Sequence, residues 1–205
     1  MDIWAGDFGR DYTERNASSL AEMEELWRAR YGLTRTEISE QFVGQLDRSI
    51  RILEVGANIG NHLLCLQNMG FQNLYGVELQ WYAVEKAKER TRRINIIQGS
   101  AFDLPFKDGY FDLVLTAGVL IHIAPADIQR ALAEIYRCTG CYIYGFEYFC
   151  EDYREVEYRG HDNLLWKADF ARVYKDAFPD LQLVKEEKYK YLDSDNVDVC
   201  FLLRK

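Results

Sequence analysis

Apolar positions change their spacing near residue 50 of the chain. Before that point they recur at helical spacing in two stretches, the first starting near Ser18 or Ser19 and the second near Thr34 or Thr36. After that point, short apolar runs alternate with helical patterns. The pattern predicts strands at residues 51–55, 73–77, 94–97, 111–115 and 142–146, and helices at residues 59–69, 81–92 and 126–137.

The end of the chain follows a different order. A helix predicted at residues 167–178 precedes two strand-like runs at residues 181–191 and 197–203. Repeated strand–helix units with short connections indicate a parallel sheet covered on both faces, and the last two runs would add an antiparallel hairpin. We therefore predict an α/β fold: a Rossmann-like, doubly wound, mostly parallel seven-stranded sheet with an antiparallel C-terminal hairpin. Residues 49–205 would form this domain, preceded by a helical segment at residues 1–48.

Composition narrows the class of protein. The 205 residues include 33 acidic and 25 basic side chains, a formal charge of -8, which argues against a general nucleic-acid binder. No apolar run approaches the roughly 18 residues of a membrane span, and the first seven residues lack the basic and apolar stretches of a signal peptide. Five cysteines, an odd number, are typical of reduced thiols. We expect a cytoplasmic protein with neither nucleic acid nor membrane as a partner.

A glycine-rich turn separates the strand at 51–55 from the helix that follows it. A dinucleotide-binding fingerprint would need glycine at positions 56, 58 and 61, but Asn58 and Asn61 occupy two of them. The spacing that survives is an acid followed by Gly-x-Asn-x-Gly, formed by Glu54, Gly56, Asn58 and Gly60. Asparagine tolerates left-handed backbone geometry better than other non-glycine residues, so Asn58 can replace a glycine. In open α/β sheets such a turn lies where ligands bind.

An acidic residue, Glu78, follows the second predicted strand. A carboxylate at that position can accept hydrogen bonds from ribose hydroxyls. The alternative interpretation is a tight turn next to a solvated glutamate. The order of strand, glycine turn, helix, strand and acid favours a nucleoside-binding site.

A series of segments resembles, in order, the motifs of class I S-adenosylmethionine-dependent methyltransferases. They are the turn at residues 54–60, Glu78, and residues 99–106 and 111–114, within a resemblance that spans residues 50–146. The resemblance implies S-adenosyl-L-methionine as the cofactor, with the glycine turn at its methionine part, the acid at its ribose and the turn after the third strand at its adenine. By position, the implied cofactor-binding residues are Glu54, Gly56, Asn58, Gly60, Glu78, Leu79, Ser100, Ala101 and Ala117. Many members have Asp in place of Ser100, so here a hydroxyl or backbone groups would have to hold the adenine amino group.

A narrower resemblance extends beyond these motifs. Residues 4–16, Glu147 with Tyr148, and residues 158–161 are similar to the methyltransferases encoded with pseudaminic acid biosynthesis, whereas residues 149–152 depart from that pattern. The resemblance implies methylation of a hydroxyl or amino group on a nonulosonic acid sugar or its nucleotide conjugate. The expected partner is therefore a small anionic sugar or sugar nucleotide.

Residues 1–48 are interpreted as a lid or cap in light of that resemblance. Tyr12 and Arg15 would then bind the cofactor, and Arg15 would meet its methionine carboxylate. The alternative is a surface arm with a solvated arginine.

The candidate acceptor site lies after the fourth and fifth predicted strands. Arg159 could bind a carboxylate in bidentate fashion, and His161 could act as the base towards a hydroxyl. Glu147 could orient His161 or take the proton itself. The predicted substrate-binding residues are Tyr148, Tyr158, Arg159 and His122, of which His122 is the weakest candidate because a lone histidine among aliphatic residues often only packs. The alternative is a polar loop held by its own hydrogen bonds.

Other functions stay open at this point. The chain could methylate another small molecule, use a dinucleotide for oxidation and reduction, or be a non-catalytic scaffold that binds the cofactor and pairs with a partner. Asn58 and Asn61 disfavour the dinucleotide. The scattered histidines suggest no metal site, and the oligomeric state is left open.

Overall fold

The structure is a computed structural model that describes residues 2–16 and 19–205. The chain divides into two compact units, residues 1–105 and residues 106–205. The boundary predicted near residue 48, which separates a lid from the main domain, stays a prediction.

The first unit opens with four helices, whose ends are set by local capping. They are α1 (Asp2–Ala5), α2 (Asp7–Glu14), α3 (Leu20–Tyr31) and α4 (Arg35–Val43). The hydroxyl of Ser19 accepts the N–H of Glu22 and starts α3, while Ser18, the other predicted start, lies outside the described residues. A capping box between Thr34 and Glu37 starts α4, so the helix begins at the first of the two predicted starts.

Three parallel strands follow in the first unit. The elements are β1 (Arg51–Val55), α5 (Asn61–Asn68), β2 (Asn73–Glu78), α6 (Trp81–Arg90) and β3 (Ile94–Gln98). β2 pairs in parallel with both β1 and β3. Ile52, Leu53 and Val55 of β1 are buried, so this strand reads as an apolar run interrupted only by Glu54.

The second unit contains the remaining strands. Its elements are β4 (Phe111–Ala117), a 3-10 helix (Leu120–His122), α7 (Ile128–Cys138), β5 (Thr139–Tyr148), β6 (Arg154–Glu155), β7 (Trp166–Lys167), α8 (Phe170–Ala177), β8 (Gln182–Lys190) and β9 (Val197–Arg204). β5 pairs in parallel with β4 and antiparallel with β9, and β8 pairs antiparallel with β9. The short β6 and β7 form a separate two-stranded ribbon that the sequence did not predict.

The strand order confirms the predicted fold class. Seven strands form a mostly parallel sheet in the order β3-β2-β1-β4-β5-β9-β8, with an antiparallel hairpin formed by the last two strands of the chain. Such an order, built from strand–helix units, is the Rossmann-like arrangement. Within residues 2–16 and 19–205, no helix combines the length and apolar character needed to cross a bilayer.

The helices α1 and α2 lie where the sequence showed no apolar periodicity. Their contact depends on Gly9, because a Cβ at that position would lie 1.9 Å from the carbonyl oxygen of Trp4. The indole of Trp4 meets the rings of Phe8 and Tyr12 edge-on, at centroid distances of 5.1 and 5.7 Å. Aromatic contacts between two very short helices leave no periodic pattern, so periodicity alone could not predict them.

Candidate cofactor and acceptor sites

The glycine-rich turn after β1 has the backbone geometry that its sequence predicts. Gly56, Asn58 and Gly60 all have positive φ, at 76°, 44° and 81°. The N–H groups of Gly56 and Ala57 both bond to the carbonyl of Val77, at 2.8 and 3.0 Å, which holds the turn against the end of β2. Asn58 thus adopts the left-handed conformation in which it was expected to replace a glycine.

The carboxylate of Glu78 is bound to this turn. Its Oε2 accepts the N–H of Asn58 at 2.8 Å, and its Oε1 accepts the N–H of Gln80 at 2.8 Å. The residue is buried, so the interpretation as a solvated glutamate is wrong. Burial raises the pKa of Glu78, while backbone N–H groups of Gln80, Asn58 and Leu79 lower it.

Glu54 is the second buried acid of the first unit. Its Oε1 lies 3.6 Å from Nδ1 of His62, and its Oε2 has no hydrogen-bond partner among the described residues. Burial raises its pKa to about 8, the charge of Arg35 lowers the pKa, and the charge of Glu78 raises it further. Both acids of the predicted cofactor motif are therefore withdrawn from water.

The N-terminal segment contacts the turn through Asn58. The Asn58 amide donates to the hydroxyl of Thr13 at 3.2 Å and accepts from the amide of Asn16 at 3.3 Å. Tyr12 and Arg15 flank these residues, with the Arg15 guanidinium 5.8 Å from the centre of the Tyr12 ring. Both predicted lid residues thus lie on a segment attached to the glycine turn, whereas their contact with a cofactor stays a prediction.

The turn after β3 uses its serine internally. The Ser100 hydroxyl accepts the N–H of Phe102 at 3.2 Å, and Ala101 lies between them, partly buried. Leu79, at the end of β2, offers its carbonyl to the amide of Gln98 at 3.2 Å. Because the Ser100 hydroxyl donor is not needed for this turn, it stays available for a second contact.

Glu147 of the second unit is fully buried at the end of β5. Its Oε2 accepts the N–H of Val119 at 3.0 Å, next to the 3-10 helix. Burial raises its pKa to about 7, against hydrogen bonds from Thr116 and from the N–H groups of Val119, Leu120 and Ile121 that lower it. This carboxyl therefore anchors the connection that follows β4. That strand ends at Ala117, a predicted cofactor-binding residue.

His122 and Tyr158 lie together in the second unit. Their rings are 5.4 Å apart, and Nδ1 of His122 bonds to the carbonyl of Leu164 at 2.8 Å. A carbonyl only accepts, so Nδ1 carries the proton and Nε2 carries the lone pair. Burial lowers the pKa of His122 to about 4, and the hydrogen bond to Leu164 raises it. The ring is neutral at physiological pH.

Residues 158–161 form a tight hairpin turn. Tyr158 and His161 exchange backbone hydrogen bonds at 2.9 and 3.1 Å, and the two residues between them, Arg159 and Gly160, have φ of 55° and 77°. Positive φ at both central residues is typical of a type I′ turn. His161 and Arg159 are exposed on this hairpin. Tyr148, at the end of β5, has the Lys167 ammonium 5.7 Å from its ring centre.

Some residues of the site were missed by sequence reasoning. The amide of Gln80 donates to the carbonyls of Ala5 and Gly6, at 3.0 and 2.8 Å, and so attaches α1 to the end of β2. Gly76 lets the turn approach, because a Cβ there would lie 2.7 Å from that of Ala57. A glycine inside a strand often marks a close approach of another segment, so the role of Gly76 could have been predicted from the sequence. The contacts of Gln80 could not, because they depend on residues far away in the sequence.

Part of the chain is similar in sequence to known proteins. Residues 53–140 match the family model described as "Methyltransferase domain". An uncharacterised methyltransferase of Synechocystis is 30% identical over 87 residues, which are 42% of this chain and 41% of that protein. The chain spans about two fifths of the length of the curated relatives that it matches.

Solved structures share the fold at low identity. A Burkholderia thailandensis 1,6-didemethyltoxoflavin-N1-methyltransferase with bound S-adenosylhomocysteine superposes with a TM-score of 0.68 at 16% identity, covering 97% of this chain and 89% of that one. The [4+2]-cyclase SpnF superposes with a TM-score of 0.66 at 16% identity, covering 83% and 79%. At these identities the neighbours show the shared fold, and a fold alone does not fix the reaction.

Proposed function

We propose that this protein is an S-adenosylmethionine-dependent methyltransferase that acts on a small molecule. The single observation that carries the proposal is the bond between the Glu78 carboxylate and the N–H of Asn58, which brings the acid after β2 to the glycine turn after β1. This is the pair of elements that forms a nucleoside site in open α/β folds.

The residues of the first unit fit this cofactor. The Glu78 carboxylate accepts the backbone N–H groups of Asn58, Gln80 and Leu79, and its two oxygens together keep an acceptor position for a ribose hydroxyl. The Oε2 of Glu54 is buried without a partner among the described residues, and an ammonium group would satisfy it. The methionine part of the cofactor carries such a group.

S-Adenosylmethionine, when bound, supplies a methyl group that is activated by a sulfonium. The chain then has to bind the cofactor and the acceptor, align the methyl group with the acceptor atom, and exclude water. Gly56, Asn58 and Gly60 form the turn at the methionine part, Glu78 holds the ribose, and Ser100 and Ala101 flank the adenine. Alignment of the two reacting atoms supplies much of the rate in such a displacement. Residues 1–48 close over the cofactor, with Tyr12 and Arg15 at its methionine end.

The acceptor belongs to the class of nonulosonic acid sugars or their nucleotide conjugates, and a hydroxyl or amino group is methylated. Support comes from the sequence resemblance and from the positions of the polar residues of the second unit. Arg159 binds the sugar carboxylate, His161 takes the proton, and Tyr148, Tyr158 and His122 line the acceptor. Glu147 acts beneath them as the carboxyl that fixes the connection after β4.

Calorimetry tests the cofactor first. The protein is expected to bind S-adenosylhomocysteine and to show no heat with NAD, because Asn58 and Asn61 replace two of the three glycines of the dinucleotide fingerprint. Binding of NAD alone would contradict the proposal. The second step supplies labelled S-adenosylmethionine with free and nucleotide-linked nonulosonic acids, and with neutral hexoses as matched controls. Transfer to the hexoses but not to the acids would contradict the substrate class.

A second function is favoured by one comparison. The fold neighbour named as a [4+2]-cyclase shows that this architecture is not limited to methylation. The alternative is a protein that binds the cofactor without transferring its methyl group. Binding of S-adenosylhomocysteine without any transfer from S-adenosylmethionine to an extract would support that alternative.

A further inference from the structure

A buried polar cluster in the first unit includes Glu54, the acid that precedes the glycine turn. It consists of Arg35 and Ser39 from α4, Glu54 from β1 and His62 from α5, all of which are buried. Nη2 of Arg35 lies 2.6 Å from Nδ1 of His62, and the hydroxyl of Ser39 lies 3.4 Å from Nε2 of the same ring. The guanidinium also lies 4.3 Å from the ring centre of Trp27.

The chemistry of arginine fixes the state of the histidine. A guanidinium only donates, so Nδ1 of His62 accepts, and Nε2 carries the proton that faces Ser39. Burial and the nearby charge of Arg35 both hold the pKa of His62 well below its usual value. His62 is therefore a neutral acceptor that holds the guanidinium in place, and it is not a second positive charge.

Glu54 depends on this arrangement for its charge. The groups that face it are the Arg35 guanidinium from α4, the His62 ring and the Leu63 N–H from α5, and the Glu78 carboxyl from β2. Burial and Glu78 disfavour the carboxylate form of Glu54. Among these side chains, Arg35 alone brings a positive charge.

We propose that Arg35 is a positioning residue that favours the carboxylate form of Glu54 when the ammonium group of the cofactor binds, and that His62 holds Arg35 in place. This inference rests on the proposed function. It gives α4, an element outside the matched residues 53–140, a part in cofactor binding.

The test is the affinity for S-adenosylhomocysteine between pH 6.5 and 8.5. Arg35→Gln is expected to weaken binding about tenfold at pH 7, the change that one pKa unit produces, and to recover most of the loss at pH 8.5. Arg35→Lys keeps the charge and is expected to stay within about threefold of the wild type at each pH, by the same arithmetic. Arg48→Gln is the matched control, because the Arg48 guanidinium of the same unit lies 4.4 Å from the ring centre of Phe71 and bonds to the carbonyls of Val43 and Gly44.

Proton release separates a charge effect from a loss of structure. Binding to the wild type is expected to release a proton from Glu54, measured by calorimetry in buffers of different ionisation enthalpy, and Glu54→Gln gives the release due to the ligand alone. In Arg35→Gln the midpoint of this release is expected at higher pH than in the wild type.

An equal loss of affinity at every pH, or an unshifted midpoint, would overturn the role of Arg35. Failure of the wild type to bind S-adenosylhomocysteine would instead overturn the proposed function. If Arg35→Gln does not fold, an affinity of Arg35→Lys more than tenfold below the wild type would overturn the inference, because the charge is retained.

Discussion

The carboxylate of Glu78 accepts the backbone N–H of Asn58 at 2.8 Å, although the two residues are 20 positions apart in the sequence. This bond connects the turn after β1 with the end of β2. The acid therefore shapes the glycine turn as well as offering acceptors to a ligand, and a change at Glu78 affects both.

Glu78→Gln is expected to weaken S-adenosylhomocysteine binding by about 10- to 100-fold, since a hydrogen bond to a charged group contributes about 1.5–3 kcal/mol. The amide would also place an N–H2 group against a backbone donor. Calorimetry measures the change, and Glu89→Gln on the exposed side of α6 is the control. Equal affinity of the two variants would remove Glu78 from the site.

Substitutions of Asn58 separate backbone strain from side-chain contact. Asn58→Gly relieves strain but removes the bonds to Thr13 and Asn16, whereas Asn58→Ala also adds the left-handed penalty of about 1–2 kcal/mol. Urea denaturation is expected to rank wild type, Gly and Ala in that order of stability.

Limited proteolysis of the same variants tests whether the N-terminal segment is held against the glycine turn. Both are expected to be cleaved faster than the wild type between residues 2 and 16. The control is the same pair of substitutions at Asn163, which has φ of 59° in the second unit. Unchanged cleavage in Asn58→Gly would show that the side chain does not hold the segment.

Glu147 makes the stability of the protein depend on pH. Its pKa is raised to about 7 in the folded chain from 4.5, so its contribution to stability is fully present below pH 4.5 and is lost as pH rises through 7. Glutamine does not titrate, so the melting temperature of the wild type should fall relative to that of Glu147→Gln between pH 5 and 8. A wild-type melting temperature that rises relative to that of the variant over this range would contradict the assignment.

His122 is expected to stay neutral across the physiological range. Its pKa of about 4 and the bond from Nδ1–H to the Leu164 carbonyl predict a single tautomer from pH 5.5 to 8. Nitrogen NMR of the imidazole groups would show this directly, with His122→Gln used to assign the signal. A His122 resonance that titrates near pH 6.5 would contradict the neutral ring.

His161→Ala is expected to abolish turnover with a sugar acceptor while S-adenosylhomocysteine binding is unchanged. The side chain is exposed on the hairpin at 158–161, so its loss should leave the melting temperature unchanged. Asp162→Asn, at the neighbouring exposed position, is the control. Retained turnover in His161→Ala would remove this residue from the mechanism.

The sequence predicted most of the sheet because its signals are local. Strands β1, β2 and β4 are buried runs separated by glycine and capping residues, and the pattern located each of them to within a few residues. Asn58 was expected in the left-handed conformation from its residue type alone, and the structure confirms this.

Other features depend on contacts between distant positions. The burial of Glu78 follows from the N–H groups of Asn58 and Gln80 around it, and no spacing rule contains that information. The same holds for Arg35, whose partner His62 is 27 positions away. From sequence alone, a charged residue at the start of a helix is expected to be exposed to solvent, and only its neighbours in the structure show otherwise.

In the described part of the chain, β8 is the last strand in the sheet order, and one of its sides has no neighbouring strand. Such an unpaired edge could recruit a strand from another molecule and begin aggregation. Residues 185–188 of β8 read Lys-Glu-Glu-Lys, and an incoming strand would have to strip water from these charges. The exposed apolar residues of β8 are Leu183 and Val184. The pairing of β8 with β9 shifts register between Leu183 and Lys185, and this irregularity interrupts the regular hydrogen-bonding pattern at the apolar part of the edge.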